Sequence, residues 1–352
     1  MKAFMKRAFP VPRLLVPARL AVDVNDGRIR YFDFERKGGM LRPKSFGQVE
    51  IPRMRMGADK PQPEAREALA KFAAEQGNPA VRVIIHEAEA YVFRTSVKTT
   101  NPREVRFAIE SSLEENVPIP LSEAIFEYSA VRIDEKRGET IVAVSVVSEK
   151  TLSSAVDLFR SAGLRPVSFE TESRALSRAL FKEGDNRAHA VLAIDAHHTT
   201  VFIVQDGAVS FSSSIEVGAH DIDSAVAKTF SLDIPAAREV IRTKAFSHER
   251  DDMKVFDAMI PALSTLRDEL NKVLNYWNIL GKKEPEIEEV SDVVIAGSYS
   301  LISGLAQYIS ITTKLPVVQG SVWTRVGISP DSVPDLPYKD SLDYGAVIGS
   351  LL

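Results

Sequence analysis

The chain has 352 residues, 45% apolar and 26% charged, with a formal net charge of −4. That is an ordinary soluble globular composition, enough for two domains or one two-lobed unit at about 150 residues each. The near balance of 44 basic and 48 acidic side chains offers no global attraction to nucleic acid. The lack of cysteine excludes disulfides, thiolate nucleophiles and every cysteine-based zinc site, and no run approaches the ~18 apolar residues of a membrane span.

Residues 1–19 carry Lys2, Lys6, Arg7, Arg13 and Arg19, with no acid before Asp23. Pro10, Pro12 and Pro17 break both helix and the apolar core of a secretory signal. The stretch reads as a basic tail, or as a contact for anionic lipid at roughly 1 kcal/mol per charge. Next comes LAVDVNDGRIRYFDFERKGG, and past the midpoint VLAIDAHHTTVFIVQDGAVSF. Each has an apolar stretch ending in Asp (Asp23, Asp195), a tight polar turn, a second β-rich stretch, a Gly-marked turn and a third strand. This is a three-strand antiparallel pattern written twice. Each copy leads into an amphipathic helix, PEAREALAKFAAEQG and DIDSAVAKTFSL. A recurrence roughly 170 residues apart is too long for a solenoid period and fits duplication of an α/β lobe.

Between the copies lies a third unit, residues 96–168. Asn101–Pro102 opens a helix with Val105, Ile109 and Leu113 on one face, Asn being a good N-cap and Pro a good first residue. A strand, TIVAVSVVS, follows, then a helix, EKTLSSAVDLFRSAG, with Leu152, Val156 and Phe159 on one face. Further on, VFDAMIPALSTLRDELNKVLNYWNIL is strongly helical, its apolar stripe running from Phe256 through Ile260 to Leu280. SDVVIAGSYSLISGLAQYIS reads as a buried strand, a Gly turn and a helix. LDYGAVIGSLL offers small residues for close helix packing.

The P-loop, G-x-G-x-x-G, H-E-x-x-H and G-x-S-x-G patterns are absent from the sequence. Of the six histidines only His197 and His198 are close in sequence; adjacent strand residues point to opposite faces and make a poor chelate. No carboxylate pair is placed across a cleft by sequence alone.

Taken together, these residues resemble the actin-like, sugar-kinase and Hsp70-type superfamily, and within it the type IV pilus assembly PilM family, relatives of FtsA. The quoted copies, VPIPLSEAIFEYSAVR, SEKTLSSAVDLFRSAGLRPVSFETESRAL and DYGAVIGSLL stand in that family's order. The resemblance implies an α/β, actin-like two-lobed fold of duplicated βββαβα lobes. The first lobe comprises 20–95, 169–187 and 336–352, with a small α/β subdomain inserted at 96–168. The second comprises 188–225 and 289–335, with a helical subdomain at 226–288.

In that family the lobes close over Mg-ATP. The resemblance assigns magnesium, through water, to Asp23 and Asp195. The first phosphate turn falls on Asn25, Asp26 and Arg28, and the second on His197, Thr199 and Thr200. The adenosine contacts fall on Gly218, Arg238, Gly297, Ser298 and Tyr299. Asn25 and His197 replace the family's usual glycines, Asp26 replaces a serine, and Ser298 and Tyr299 also stand where glycines are usual. Glycine lets a phosphate approach backbone N–H groups, and an Asp26 carboxylate about 4 Å from a phosphate would cost roughly 4 kcal/mol before screening; Arg28 is placed to offset it. The expectation is a non-catalytic or weakly nucleotide-binding scaffold, with ATP and Mg as doubtful cofactors. It would act at the cytoplasmic face of the inner membrane and bind the N-terminal tail of a PilN-like membrane protein in a groove within about residues 80–150. The alternatives are an active ATPase or small-molecule kinase of the same fold, and the actin-like part of a type II secretion platform.

Overall fold

The computed structural model describes residues 20–352 apart from 26, 38–39, 53, 55, 57–62, 78, 247–251, 285 and 327–335. The basic N-terminal tail and Asp26 therefore lie outside the described residues. Two sheets organise the molecule. The first contains β1 (Leu20–Asn25), β2 (Arg28–Lys37), β3 (Met40–Glu50), β4 (Ala80–Ile85) and β8 (Arg165–Thr171), in the order β3-β2-β1-β4-β8. The second contains β5 (Ala90–Val97), β6 (Ala124–Asp134), β7 (Glu139–Ser148), β9 (Ala188–Ile194), β10 (Thr199–Gln205), β11 (Ala208–Ile215), β12 (Val290–Ala296) and β13 (Val317–Gln319). Its order is β13-β12-β9-β10-β11-β5-β7-β6.

Both copies of the repeat fold as read from the sequence: β1–β2–β3 and β9–β10–β11 are antiparallel runs, and β4 joins β1, as β12 joins β9, in parallel. Period-two alternation divides each first strand between two cores. Leu20, Val22 and Val24 face α1 (Pro63–Glu75) and α3 (Glu149–Ser161), against Leu69, Phe72, Leu158 and Phe159. Ala21, with Val191, Ala193 and Phe202 of the second lobe, faces a central layer made by α4 (Glu172–Leu180) and α10 (Gly345–Ser350). That layer is thin because glycine permits it: a Cβ on Gly349 would stand 1.8 Å from the Ala175 carbonyl oxygen, so the two helices touch backbone to backbone. The small residues of LDYGAVIGSLL do pack as expected.

On the outer face of the second sheet lie α5 (Ala219–Phe230), α6 (Ile234–Lys244), α7 (Met253–Gly281) and α8 (Leu305–Thr313). The α7 stripe is rotated slightly from its reading. Val255, Met259, Leu263, Leu266, Leu270, Val273, Leu274 and Trp277 are buried, while Ile260 is exposed. A short helix, α9 (Tyr338–Ser341), precedes α10.

The middle unit is divided differently from the 96–168 reading. Its sheet is β5–β7–β6, covered by α2 (Pro102–Asn116) through Val105, Ile109 and Leu113. The helix is capped as expected, Asn101 accepting from the Arg103 N–H. Helix α3 and strand β8, however, belong to the first lobe. The α3 face that packs there is Thr151, Ala155, Leu158 and Phe159, with Leu152 and Val156 only partly covered. The reason is shape: Phe159 and Leu158 fill the gap over β1 and β4, and burying each is worth about 1.5–3 kcal/mol.

Candidate functional site

The site lies where the two hairpin turns meet between the lobes. In β1–β2, Asn25 faces Arg28 and Asp23 faces Arg30. Arg30 thus stands directly beside Asp23, and its guanidinium reaches across to the other lobe. Nη1 donates to Asp23 Oδ2 at 3.2 Å and to Asp195 Oδ2 at 3.0 Å, while Nη2 donates to Asp195 Oδ1 at 2.5 Å. Arg30 is 5% exposed. Burial works against both charges, but each outweighs that cost for the other: Asp195 is held well below the usual carboxylate range by Arg30, and the guanidinium stays charged. The two acids that the resemblance assigns to magnesium are bridged by a side-chain cation.

Behind Asp23 sits a second buried network. His86, just past β4, places Nε2 2.7 Å from Asp23 Oδ1 and Nδ1 3.1 Å from Glu172 Oε2. Glu172, the first residue of α4, also receives Thr200 Oγ1 at 2.9 Å and lies 3.4 Å from His198 Nε2. The Asn25 amide lies 3.2 Å from His86 Nδ1 and 3.3 Å from His198 Nδ1. Burial opposes charge on His86, yet Asp23 and Glu172 hold its pKa well above the ordinary histidine value. Glu172 sits well below its own ordinary value: burial works against its charge, and His86 and His198 outweigh it. The neighbouring Glu87 is pushed up to about 7, first by burial and then by Glu172.

The second turn is closed by its own chain. Ala219 and His220, opening α5, donate their backbone N–H groups to the Asp195 and Ala196 carbonyls at 2.9 and 2.7 Å. The Gly218 N–H is taken by Asp221 Oδ2 at 2.9 Å. Gly218 is required by contact rather than by conformation: a Cβ there would lie 2.6–2.7 Å from the backbone of His198, Asp195 and His197. Thr199 spends its hydroxyl on the Val217 carbonyl at 2.7 Å. His197, at a position where the family uses glycine, packs against His220 with ring centroids 4.9 Å apart.

The residues expected around the nucleotide do not form one set. Asn25 and His197 line a cavity of about 510 Å³ that also touches His86, His198 and His220. Asp195 and Gly297 border a different recess of about 30 Å³ beside Arg30 and Asp343, room for about one water. Gly297 adopts φ 83°, and a Cβ would strike the Ile194 carbonyl at 2.1 Å; the Ser298 N–H is bound by Asp343 Oδ1 at 3.1 Å. Tyr299 packs with the second-lobe core and its hydroxyl is buried without a partner among the described residues. Arg238, on α6, is bound to buried Asp223 at 2.6 Å. Arg28 begins β2 opposite Asn25.

Three residues were missed from the sequence: Arg30, His86 and Glu172. Arg30 was legible, because a two-residue Asp-Gly hairpin loop fixes the register that sets it opposite Asp23. His86 and Glu172 carry no local signal. His197 and His198 are the neighbouring histidines in sequence, but in the fold it is the His86 and His198 rings that meet, at 5.1 Å. Sequence likewise gave no carboxyl pair across a cleft; the fold makes one of Asp23 and Asp195.

The sequence matches the model of the type IV pilus assembly protein PilM family over residues 21–345. The chain belongs to the PilM family. In structure it is similar to the PilM of a PilM-PilN type IV pilus biogenesis complex, with 19% identity, 97% of this chain and 98% of that chain covered, and a TM-score of 0.74. It is also similar to MreB5 of Spiroplasma citri bound to ADP, with 11% identity, 94% of each chain covered and a TM-score of 0.56. These likenesses bear out the two-lobed actin-like fold. No curated protein matches the sequence. Among the described residues of this PilM-family chain, no helix is long and apolar enough to cross a membrane.

Proposed function

We propose that this PilM-family chain is a non-catalytic scaffold of the pilus assembly platform, holding the cytoplasmic tail of a PilN-like membrane protein and reaching the membrane through it. The observation that carries the non-catalytic reading is Arg30. A magnesium ion bound through water needs the Asp23 and Asp195 carboxylates to face its hydration shell, and here the guanidinium lies between them, donating to both. The N–H groups at the start of α5, which would otherwise favour an anion, are given to the second turn. Residues so arranged do not fit a magnesium-bridged phosphate, and no step is routed through one.

For the tail, a cavity of about 280 Å³ lies where the inserted sheet meets α4 and the β10–β11 turn of the second lobe, lined by Ser129, Val131 and Ala143, by Arg174 and Arg178, and by Asp206. An extended peptide gains affinity there from main-chain hydrogen bonds and side-chain pockets, with no reacting group required. The PilM-PilN complex supports this choice of partner.

Calorimetric titration of the full chain with Mg-ATP tests the first part: no saturable heat is expected, and micromolar affinity that depends on magnesium would overturn it. A synthetic PilN-like N-terminal tail tests the second. Ser129→Trp, which fills the cavity, should weaken its binding at least about tenfold, a loss of roughly 1.4 kcal/mol, with the thermal midpoint unchanged. Equal binding by wild type and variant would remove this groove from consideration.

A further inference from the structure

Four of the six histidines gather around the larger cavity, and two of them converge on one carboxylate. Ligand atoms of His86, Glu172 and His198 all lie within 4.8 Å of one another. Two of the separations, 3.1 Å from His86 Nδ1 to Glu172 Oε2 and 3.4 Å from His198 Nε2 to the same oxygen, have a clear counterpart. Around a tetrahedral ion with bonds of about 2.0–2.1 Å, neighbouring ligand atoms stand about 3.3 Å apart.

The donors are also held as ligands are held. His86 gives Nε2–H to Asp23 Oδ1 at 2.7 Å, which directs the Nδ1 lone pair toward Glu172. Thr200 Oγ1 fixes Glu172 Oε2 at 2.9 Å. Asn25 spans the two Nδ1 atoms at 3.2 and 3.3 Å. His198 turns Nε2 toward the same Glu172 oxygen at 3.4 Å, and the tautomer with its proton on Nδ1 presents that nitrogen as a ligand. Carboxylates and amides behind imidazoles are the usual support of a metal centre.

The contact between His86 Nδ1 and Glu172 Oε2, 3.1 Å apart, is one that a proton or a metal ion can hold. A proton satisfies that pair alone, whereas a divalent ion also draws on His198. We propose that His86, Glu172 and His198 bind one divalent first-row transition ion, zinc(II) fitting the donor set best, with the remaining position open to the 510 Å³ cavity that His86 and His198 line. Two imidazoles and one carboxylate are a zinc or non-haem iron set, whereas magnesium demands octahedral oxygen. Binding replaces any proton on His86 Nδ1, which leaves to solvent. The proposal uses neither Arg30 nor Asp195 and stands apart from the nucleotide reading.

The test uses the full chain, stripped with chelator and then dialysed against zinc(II) or cobalt(II). One equivalent of metal by elemental analysis is expected, with the intense visible bands of four-coordinate cobalt. His198→Ala and Glu172→Gln should each weaken binding at least about tenfold. His197→Ala, on the same cavity wall but outside the donor set, should bind as wild type. Circular dichroism establishes that each variant is folded, and His198→Gln replaces the alanine variant if that one is not. Less than half an equivalent bound at about 100 μM zinc overturns the proposal, as does unchanged affinity in folded His198 and Glu172 variants, or loss of binding in His197→Ala alone.

Discussion

The two hairpins that meet at the cleft are copies of one design with opposite solutions to the same problem. Each has an aspartate near the end of its first strand, where the lobes meet. In the first, the second strand returns Arg30 beside Asp23, and that one cation serves both acids. In the second, β10 returns Thr199, Thr200 and Val201, which are buried and offer no charge. The turn is sealed instead by the start of α5. A duplicated lobe can therefore keep its backbone while its two turns diverge in chemistry: one neutralised by a side chain, the other closed by backbone.

The largest way to break this comparison is Arg30→Met. It leaves buried Asp195 without its guanidinium partner and Asp23 with His86 alone, and should cost about 3–5 kcal/mol in urea unfolding. Adding Asp23→Asn and Asp195→Asn to it should recover most of that loss, since an apolar or neutral replacement of a whole buried ion group is often close to neutral. A cost below about 1 kcal/mol for Arg30→Met would mean the bridge holds little. Next is Gly218→Ala, which presses a methyl onto the second turn and should cost about 1–3 kcal/mol, the range for overpacking. An unchanged urea midpoint would show that this turn yields, and that its closure is looser than that of the first.

The smallest effect separates the base of the second copy from its turn. His189, on β9, lies 2.7 Å from Asp292 Oδ1 and 3.3 Å from Asp185 Oδ2. Burial opposes its charge, but the two acids raise its pKa above the ordinary value. The folded protein thus holds this proton more tightly than the unfolded chain. The stabilisation is full below the unfolded pKa of about 6.5 and is lost as pH rises through the folded value. His189→Gln should flatten the decline in the urea midpoint between about pH 6 and 8. Parallel profiles for the two proteins would assign that decline elsewhere.

The two hairpins also show what the sequence could and could not disclose. Their strand pattern, turn residues and the Asp23–Arg30 register follow from neighbours a few residues apart. The extent of the insert does not, because periodicity says which face of α3 is apolar but not which sheet will cover it. Phe159 was read correctly as buried, yet its neighbours in the first lobe are set by contacts far along the chain. His86 and Glu172 are separated by 86 residues, and only the placement of β4 beside β1 and of α4 between the sheets brings them together.

The continuity of the larger sheet has a mechanical consequence. The insert leaves and re-enters the chain of the first lobe, but β5 pairs with β11 at Phe93 and Phe211, and Arg137 reaches Glu286 of the second lobe at 3.3 Å. A pull on the insert is therefore delivered sideways, through strand pairing, to the opposite lobe, while the covalent connections anchor it to the first. Parting the lobes at this edge means peeling β5 from β11 or stretching the short link at Glu87–Glu89.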